Sequence, residues 1–565
     1  MRFQSTIFRL SNKAVLLFGF IVLVAYLVYA IIMKQAYLAF SLLAVFFFLI
    51  LFTKTTSTVY RYANKLFLLS LYILISIYTY IIFLGADAFK ALMLFIILMI
   101  PLLFTRLKIT TYIYLALILL FEQVGTDYTG KAFNLYDKGR GMLPFELSLV
   151  NVLLLFIAVS IIIHKIILYP RKGFNHESFS CNLYKYFWIF NLLFGCYVIW
   201  GIVAGIPPSQ IFHRRGVINI VNLGVFVFVM LNIFRADKDY ERVKNMFMGF
   251  VAIKAFWGLV RYIFLKGDPV NMYAYATYDG KAIGLKKITF FDVTDNLMLG
   301  IGAFYALWML VNSKSRLSRS STLFYSSVAI ICIFDIVFSY RRAAWGGLVM
   351  SLAWFFLNMP MRKRIAIGIP AGILCIVLLS NAASQRFGEG EGLGAIAPDI
   401  VSKKSGGVTA DEGRFLEIKT AWQTIKKNPI FGMGPWGKYK AIRLSKRVDL
   451  GLPTNLVHSS VFHLWLKMGL IGVLVFIAFF YKYVQFWLTR RREMPLEIRG
   501  FEEAAFAGFL FLIPEIFFAT IIIEYRTMAL LGLCFAIPYI GYYLYKKKSQ
   551  VMSHEVFLQN KHVTI

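Results

Sequence analysis

The chain has 565 residues, of which 59% are hydrophobic and 17% are aromatic, and its formal net charge is +32. Ordinary soluble domains carry about 45–50% apolar residues, so this composition excludes them. A nucleic-acid-binding domain concentrates positive charge on one soluble face, whereas here the charge is scattered between apolar segments. The composition therefore indicates a membrane protein and argues against nucleic acid as a partner.

Apolar runs of membrane-spanning length recur along the whole chain. A helix needs about 20 apolar residues to cross the hydrocarbon core, and it satisfies its own backbone hydrogen bonds in lipid. This criterion predicts an all-α, polytopic membrane bundle of about 14–16 transmembrane helices with one large external loop. The candidate segments are 14–33, 36–52, 65–84, 88–105, 109–121, 147–168, 184–204, 216–234, 243–265, 295–312, 322–338, 342–358, 364–380, 459–482, 501–523 and 527–545.

The connections between these segments alternate between rich and poor in lysine and arginine. Connection 235–244 holds two arginines and two lysines and connection 490–499 holds four arginines, and the positive-inside rule assigns such basic connections to the cytoplasm. Both termini then lie in the cytoplasm. We expect four parts: an N-terminal transmembrane bundle (1–380), a large periplasmic loop (381–457), C-terminal transmembrane helices (458–545) and a cytoplasmic tail (546–565).

Two external turns break this charge pattern. The stretch "FSYRRAAWGGL" places Arg341 and Arg342 between two apolar helices, and "IPPSQIFHRRGVINI" places Arg214 and Arg215 at a helix start. Ionisable groups at a membrane boundary are costly and often mark a ligand or a pathway. Long basic side chains also reach the interface without any such role. Both interpretations stay open for these four arginines.

The large loop contains an amphipathic segment, "TADEGRFLEIKTAWQTIKKNPIFGMGP" (409–435). Its pattern predicts a helix that ends before Asn428-Pro429. Arg414, near the start of this helix, is either a solvated charge or a contact to a ligand. An apolar stripe on the helix is expected to lie against the membrane-embedded body. The stripe consists of Phe415, Ile418, Ala421, Trp422 and Ile425.

Two of the seven histidines stand near the start of the next apolar segment, at His458 and His463. Five residues on a helix correspond to about 140° of rotation, so the two imidazoles are expected to point in different directions. They therefore do not suggest a shared metal, and no metal site is predicted. His458 is either a polar cap at a membrane boundary or a group with a chemical role.

Three features in chain order resemble the O-antigen ligase and polymerase superfamily. They are an external Ser-x-Arg-Arg-x-x-Trp-x-Gly turn, the loop helix "GRFLEIKTAWQTIKKNPIFGMGP", and a histidine segment, "HSSVFHLWLKMGLIG", within residues 335–475. The resemblance implies that His458 is catalytic. It implies also that Arg414 and Arg342, or its neighbour Arg341, contact the donor pyrophosphate, and Arg215 is a further candidate for that contact.

The resemblance implies a membrane glycosyltransferase that joins an undecaprenyl-pyrophosphate-linked glycan to an acceptor, with inversion and with neither metal nor other cofactor. Such an enzyme builds envelope polysaccharide, such as lipopolysaccharide, in the bacterial inner membrane, with its active site facing the periplasm. Its partners are the lipid-linked donor, a glycan or lipid-anchored acceptor and membrane lipids. A repeat-unit polymerase of O-antigen or exopolysaccharide uses the same chemistry.

A flippase for lipid-linked oligosaccharide is the alternative from another class. A flippase is expected to carry charges deep inside several helices and to have pseudo-symmetric halves. The apolar segments of this chain read as nearly free of charge, with Lys254 and Glu515 among the exceptions. This pattern favours the enzyme.

Overall fold

The structure is a computed structural model. It describes residues 107–122, 148–163, 182–265, 267–268, 277–278, 281–282, 287–313, 317–359, 361–365, 369–387, 410–440, 453–454 and 456–563. The chain divides into two compact units, Met1–Met142 with Ser148–Leu153, and Leu143–Leu147 with Leu154–Ile565. The predicted membrane segments that lie outside the described residues are 14–33, 36–52, 65–84 and 88–105.

The described part of the first unit is helical. It comprises α1 (Leu107–Leu120) and the first residues of α2 (Leu149–Ile163), a helix that continues into the second unit. The hydroxyl of Thr111 on α1 donates to the Leu107 carbonyl at 2.9 Å. A threonine in an apolar helix satisfies its hydroxyl in this way without a partner from another element.

The second unit contains the remaining described elements. Its helices are α3 (Leu183–Val203), α4 (Pro208–Ile211), α5 (Ile218–Ile233), α6 (Asp237–Phe264), α7 (Val293–Asn312), α8 (Arg319–Val337), α9 (Arg342–Leu357), α10 (Met361–Lys363), α11 (Ile369–Phe387), α12 (Ala410–Ile425), α13 (Ser460–Arg490), α14 (Gly500–Phe518) and α15 (Tyr525–Val563). Two short antiparallel hairpins pair β1 (Thr277–Tyr278) with β2 (Lys281–Ala282), and β3 (Tyr439–Lys440) with β4 (Pro453–Thr454). Turns of 3₁₀ helix follow α13 at Arg491–Glu493 and α14 at Ile521–Ile523.

The all-α membrane architecture is confirmed. Each predicted segment from residue 109 onward falls on a described helix. Six of the described helices are long and apolar enough to cross a membrane: α3, α6, α7, α8, α13 and α15. The largest differences are at the ends of α13 and α15, which run on to Arg490 and Val563. Hydropathy marks where an apolar run ends, and a helix continues past that point when no glycine or proline stops it.

Helix α14 lies at the centre of the second unit, where it packs against α7, α9 and α15. Helix α13 packs against α3 and α12, and it contains a kink at Gly469, where φ is 65°. The chain after α12 enters this kink, because Leu470 N–H donates to the Pro429 carbonyl at 2.9 Å. A Cβ atom at Gly469 would lie 2.0 Å from the Ile430 carbonyl oxygen, so only glycine fits. The kink therefore fixes the end of α12 to α13.

The helix interiors contain more charge than the sequence predicted. Lys254 lies 3.1 Å from Asp295, and Glu515 lies 3.5 Å from Arg341. Further buried ionisable residues are Arg261, Asp335, Lys467, Glu502, Glu503 and Arg526. The expectation of nearly charge-free interiors is wrong, because ion pairing offsets much of the cost of burying a charge. Buried charge therefore does not separate an enzyme from a flippase in this chain.

Candidate active site

His458 lies two residues before α13, and its side chain is 50% exposed. Its Nδ1 atom lies 2.8 Å from Oε2 of Glu417 on α12, a carboxylate that is 11% exposed. A carboxylate at Nδ1 favours the tautomer with the proton on that nitrogen, which leaves the Nε2 lone pair available. The pair can therefore accept a proton from a hydroxyl group that approaches the exposed side of the imidazole.

Tyr439 holds the second oxygen of the same carboxylate. Its hydroxyl lies 2.8 Å from Glu417 Oε1 and 2.9 Å from the Leu456 carbonyl oxygen. Burial raises the pKa of Tyr439, and the negative charge of Glu417 raises it further, so the phenol remains a neutral donor. Tyr439 belongs to β3 and pairs with Thr454 of β4. The hairpin thus fixes the carboxylate that contacts His458.

Helix α12 reaches this position because its apolar stripe packs against α13. Ala421 and Ile425 are buried together with Val457 and Leu466, and Ile418 and Trp422 pack against that cluster. Phe415, which was predicted to belong to the stripe, is 59% exposed. It lies about 80° around the helix from Ile425, at the edge of the stripe. The prediction is therefore wrong for Phe415 and confirmed for the other four residues.

The C-terminal end of α14 connects two of the predicted arginines to the histidine segment. Arg341 lies 3.5 Å from Glu515, and Arg414 donates to the Phe518 carbonyl at 3.1 Å. In the same turn, the Ala519 carbonyl accepts from Ser460 N–H at 3.1 Å. Arg341, Arg414 and the start of α13 therefore converge on one helix end, although they lie far apart in the sequence.

The paired arginines stand at the turn that the sequence predicted. Tyr340 has a φ of 55°, a strained value for a residue with a bulky side chain, and α9 begins two residues later at Arg342. The Arg341 guanidinium donates to the Phe291 carbonyl at 2.7 Å in addition to its contact with Glu515. Arg342 is the first residue of α9 and is half-buried. The turn thus directs Arg341 towards α14.

Arg215 is joined to the histidine segment through its backbone. Its carbonyl oxygen accepts a hydrogen bond from Nε2 of His463 at 2.9 Å, and Nδ1 of His463 accepts one from Val457 N–H at 3.3 Å. His463 is fully buried, whereas His458 is exposed. The two imidazoles therefore face different surroundings, as their spacing predicted.

The sequence missed Glu417, Tyr439 and Glu515 as members of this region. A signal for Glu417 was present, because it lies three residues after Arg414 and such pairs share one face of a helix. Glu515 was recognised only as an isolated charge in an apolar segment. Among the residues that the structure describes, no group of three or more His, Cys, Asp or Glu side chains is placed to hold a metal ion.

Comparison with known proteins bears on the same region. Residues 327–477 match a family model described as "O-Antigen ligase". An "Uncharacterized protein" of Haemophilus influenzae is 26% identical over 208 residues, which are 35% of this chain and 51% of that relative. The chain thus spans about half the length of this relative. No solved structure matches this chain. The matched family segment contains both paired arginines, Arg414, Glu417 and His458, so the chain is similar to the O-antigen ligase family over the region of this site.

Proposed function

We propose that the chain transfers a glycan from a polyprenyl-pyrophosphate carrier to an acceptor, in the manner of an O-antigen ligase. The contact of His458 with Glu417 carries this proposal, because it provides an oriented base at an accessible position inside the ligase-like segment. The proposed location is the outer face of the bacterial inner membrane, with undecaprenyl pyrophosphate as the carrier. The acceptor is a glycan or a lipid-anchored glycan.

In the proposed reaction, Nε2 of His458 removes the proton from an acceptor hydroxyl. The oxygen of that hydroxyl attacks the anomeric carbon of the donor, and the bond from this carbon to the pyrophosphate oxygen breaks. The pyrophosphate leaves with the bonding electrons, so the reaction inverts the anomeric centre in one step. Guanidinium groups can bind the oxygens of the leaving group in pairs and remain charged at neutral pH. We assign this role to Arg341, Arg342, Arg414 and Arg215.

A repeat-unit polymerase would use the same site and would differ only in its acceptor. A flippase would instead need charges that a polar headgroup can reach in the membrane interior. The side chains of Lys254, Asp295 and Arg526 are at most 3% exposed, and Asp295 contacts both cations. Their mutual contact leaves the accessible base at His458 as the feature that favours the enzyme.

The direct test is transfer by the purified full chain in proteoliposomes, supplied with an undecaprenyl-pyrophosphate-linked oligosaccharide and candidate acceptors. We expect an inverted glycosidic product with the wild-type chain. Gene deletion then identifies the acceptor: loss of long chains from the lipid anchor with free polymer retained indicates a ligase, and single-repeat products indicate a polymerase. Absence of transfer in vitro together with unchanged surface glycans would refute the proposal.

The arginine assignment has its own test. Arg341→Lys, Arg342→Lys and Arg414→Lys keep the formal charge, but an ammonium group cannot make the two-pronged contact of a guanidinium. We expect Arg414→Lys and at least one variant of the adjacent pair to lose most transfer activity at matched membrane abundance. The less tolerant member of the pair is the donor contact. Near-normal transfer by all three variants would reduce these arginines to a structural role.

The proposed orientation places the loop 381–457 in the periplasm and the connection 483–500 in the cytoplasm. It rests on the distribution of lysine and arginine along the chain. Ser405→Cys and Glu493→Cys can be labelled with an impermeant maleimide in cells with a permeabilised outer membrane. We expect labelling at position 405 alone. Labelling at position 493 alone would reverse the orientation.

A further inference from the structure

Two buried basic side chains on α13 each hold the backbone of a different loop. His463 donates to the Arg215 carbonyl at 2.9 Å, and the Lys467 ammonium donates to the Gly437 carbonyl at 2.6 Å. The two side chains are one helical turn apart and both are fully buried. A single face of α13 therefore fixes the turn 213–216 and the turn 432–438.

These two turns also contact each other. A Cβ atom at Gly216 would lie 3.3 Å from the Pro435 carbonyl oxygen, so the backbones pass at close range. The N–H group of Arg215 donates to Nδ1 of His213 at 3.0 Å, and its carbonyl accepts from His463. The backbone of Arg215 is thus fixed on both sides, and Lys438 directly follows the carbonyl that Lys467 holds.

Positive charge accumulates where the turns meet. Arg215 and Lys438 are both close enough to Lys467 to interact with it electrostatically. Within the part of the chain that the structure describes, neither Lys438 nor Lys467 forms an ion pair. A buried ammonium group without a carboxylate partner is unfavourable, so a functional reason for this arrangement is expected.

We propose that His463 and Lys467 are positioning residues that hold Arg215 and Lys438 together as one basic edge for the anionic group of the donor. This inference rests on the proposed function. Because His463 also accepts from Val457 N–H, the residue before His458, the same imidazole sets the edge relative to the base. Lys438 thereby becomes a donor contact that its position in the sequence did not suggest.

The test measures the Kd for undecaprenyl pyrophosphate with the full chain in nanodiscs. We expect Lys438→Gln and Arg215→Gln each to weaken binding about tenfold, the size of one charge-assisted hydrogen bond. Lys419→Gln is the matched control, because it removes an exposed lysine of α12 that lies outside the proposed edge. Donor KM should rise in the two edge variants, while kcat changes less.

A conservative pair tests the positioning role. His463→Leu cannot donate to the Arg215 carbonyl, whereas the side-chain amide of His463→Gln can place an N–H near the position of Nε2. We expect weak donor binding in the leucine variant and recovery of most of it in the glutamine variant. Lys467→Met should also weaken donor binding, because methionine has a length similar to that of lysine but cannot donate a hydrogen bond.

The outcomes separate this inference from the proposed function. If the wild-type chain binds undecaprenyl pyrophosphate and the Kd of Lys438→Gln equals that of Lys419→Gln, the basic edge alone is overturned. Equal binding by His463→Leu and His463→Gln would overturn the positioning role. A wild-type chain that does not bind undecaprenyl pyrophosphate would overturn the proposed function itself. The variants at Lys438 and Arg215 keep the test decisive if a substitution on α13 prevents folding.

Discussion

His458, which contacts Glu417, is exposed, whereas the ion network of α6, α7 and α15 is buried. The His458 side chain is 50% exposed and has one carboxylate partner. In the network, Asp295 contacts Lys254 at 3.1 Å and Arg526 at 2.5 Å, and these three side chains are at most 3% exposed. Similar ionisable residues are therefore used in two different environments.

The difference shows what each arrangement can do. Arg526 also contacts Asp292 at 3.4 Å, so two cations and two carboxylates neutralise one another inside the bundle. A buried, balanced network fixes the helices that carry it, and loss of one member leaves an uncompensated charge. His458 has a free ring nitrogen at an accessible position, so it can exchange a proton with a substrate. Four substitutions test this contrast.

The largest effect is expected for His458→Ala. If the imidazole is the base, removing it lowers the transfer rate by about 10²–10⁴, while the chain stays folded because the exposed side chain contributes little packing. The rate is measured in proteoliposomes at matched protein abundance, and melting temperature reports the fold. Lys419→Ala serves as a control for loss of an exposed side chain near the site. A wild-type rate in the His458→Ala chain would remove the base assignment.

For Arg526→Met we expect a loss of stability, whereas His458→Ala is expected to keep its fold. Removing the arginine leaves Asp292 and Asp295 buried with less compensation, which costs about 3–5 kcal/mol of stability. Arg490→Met is the matched control, because Arg490 pairs with Glu493 at 2.6 Å with both side chains about 45% exposed. Breaking that exposed pair should cost about 0–1 kcal/mol. Equal losses in denaturant unfolding would contradict the structural role of the network.

Glu524 lies between the two regions, close to both Arg341 and Asp292. Burial raises its pKa to about 8, and the charge of Asp292 raises it further. An unfolded glutamate titrates near 4.3. Between these values the folded chain binds a proton that the unfolded chain has released, so stability falls as the pH rises through this window.

Glu524→Gln removes that titration. We expect the variant to gain stability relative to the wild type as the pH rises from 5 to 8, by on the order of 4 kcal/mol, since each pH unit of this window corresponds to about 1.4 kcal/mol. The melting temperatures of both chains are compared across this range. A difference that is constant with pH would show that Glu524 does not hold its proton in the folded chain.

The sequence predicted the helices well because a membrane imposes a length on every apolar segment. It also singled out Arg341, Arg342 and His458 as candidates, since each interrupts an otherwise regular pattern of charge or hydropathy. Exposed charges on an amphipathic helix interrupt no such pattern. The spacing of Glu417 from Arg414 places both on one face of α12, but the contact with His458 forms only when the chain returns to this helix, 41 residues later.

The buried network escaped prediction for a related reason. Asp295 and Arg526 are 231 residues apart, and each stands near the start of an apolar helix, where a single charge is ordinary. Their partnership depends on α7 and α15 packing with their first turns together, a tertiary arrangement that hydropathy does not contain. Pairing of this kind is predictable only from contacts between helices.

The smallest effect is expected for Glu417→Gln, and it tests whether the exposed pair works as a unit. The amide keeps a carbonyl oxygen that can accept from Nδ1, so the orientation of His458 is largely preserved. It lacks the negative charge that stabilises the protonated imidazole. Proton transfer to the imidazole is therefore less favourable, and we expect about a tenfold lower transfer rate at neutral pH. Glu412→Gln, which removes a carboxylate from the same helix, should leave the rate unchanged. Equal rates in Glu417→Gln and the wild type would show that the exposed pair does not work as a unit.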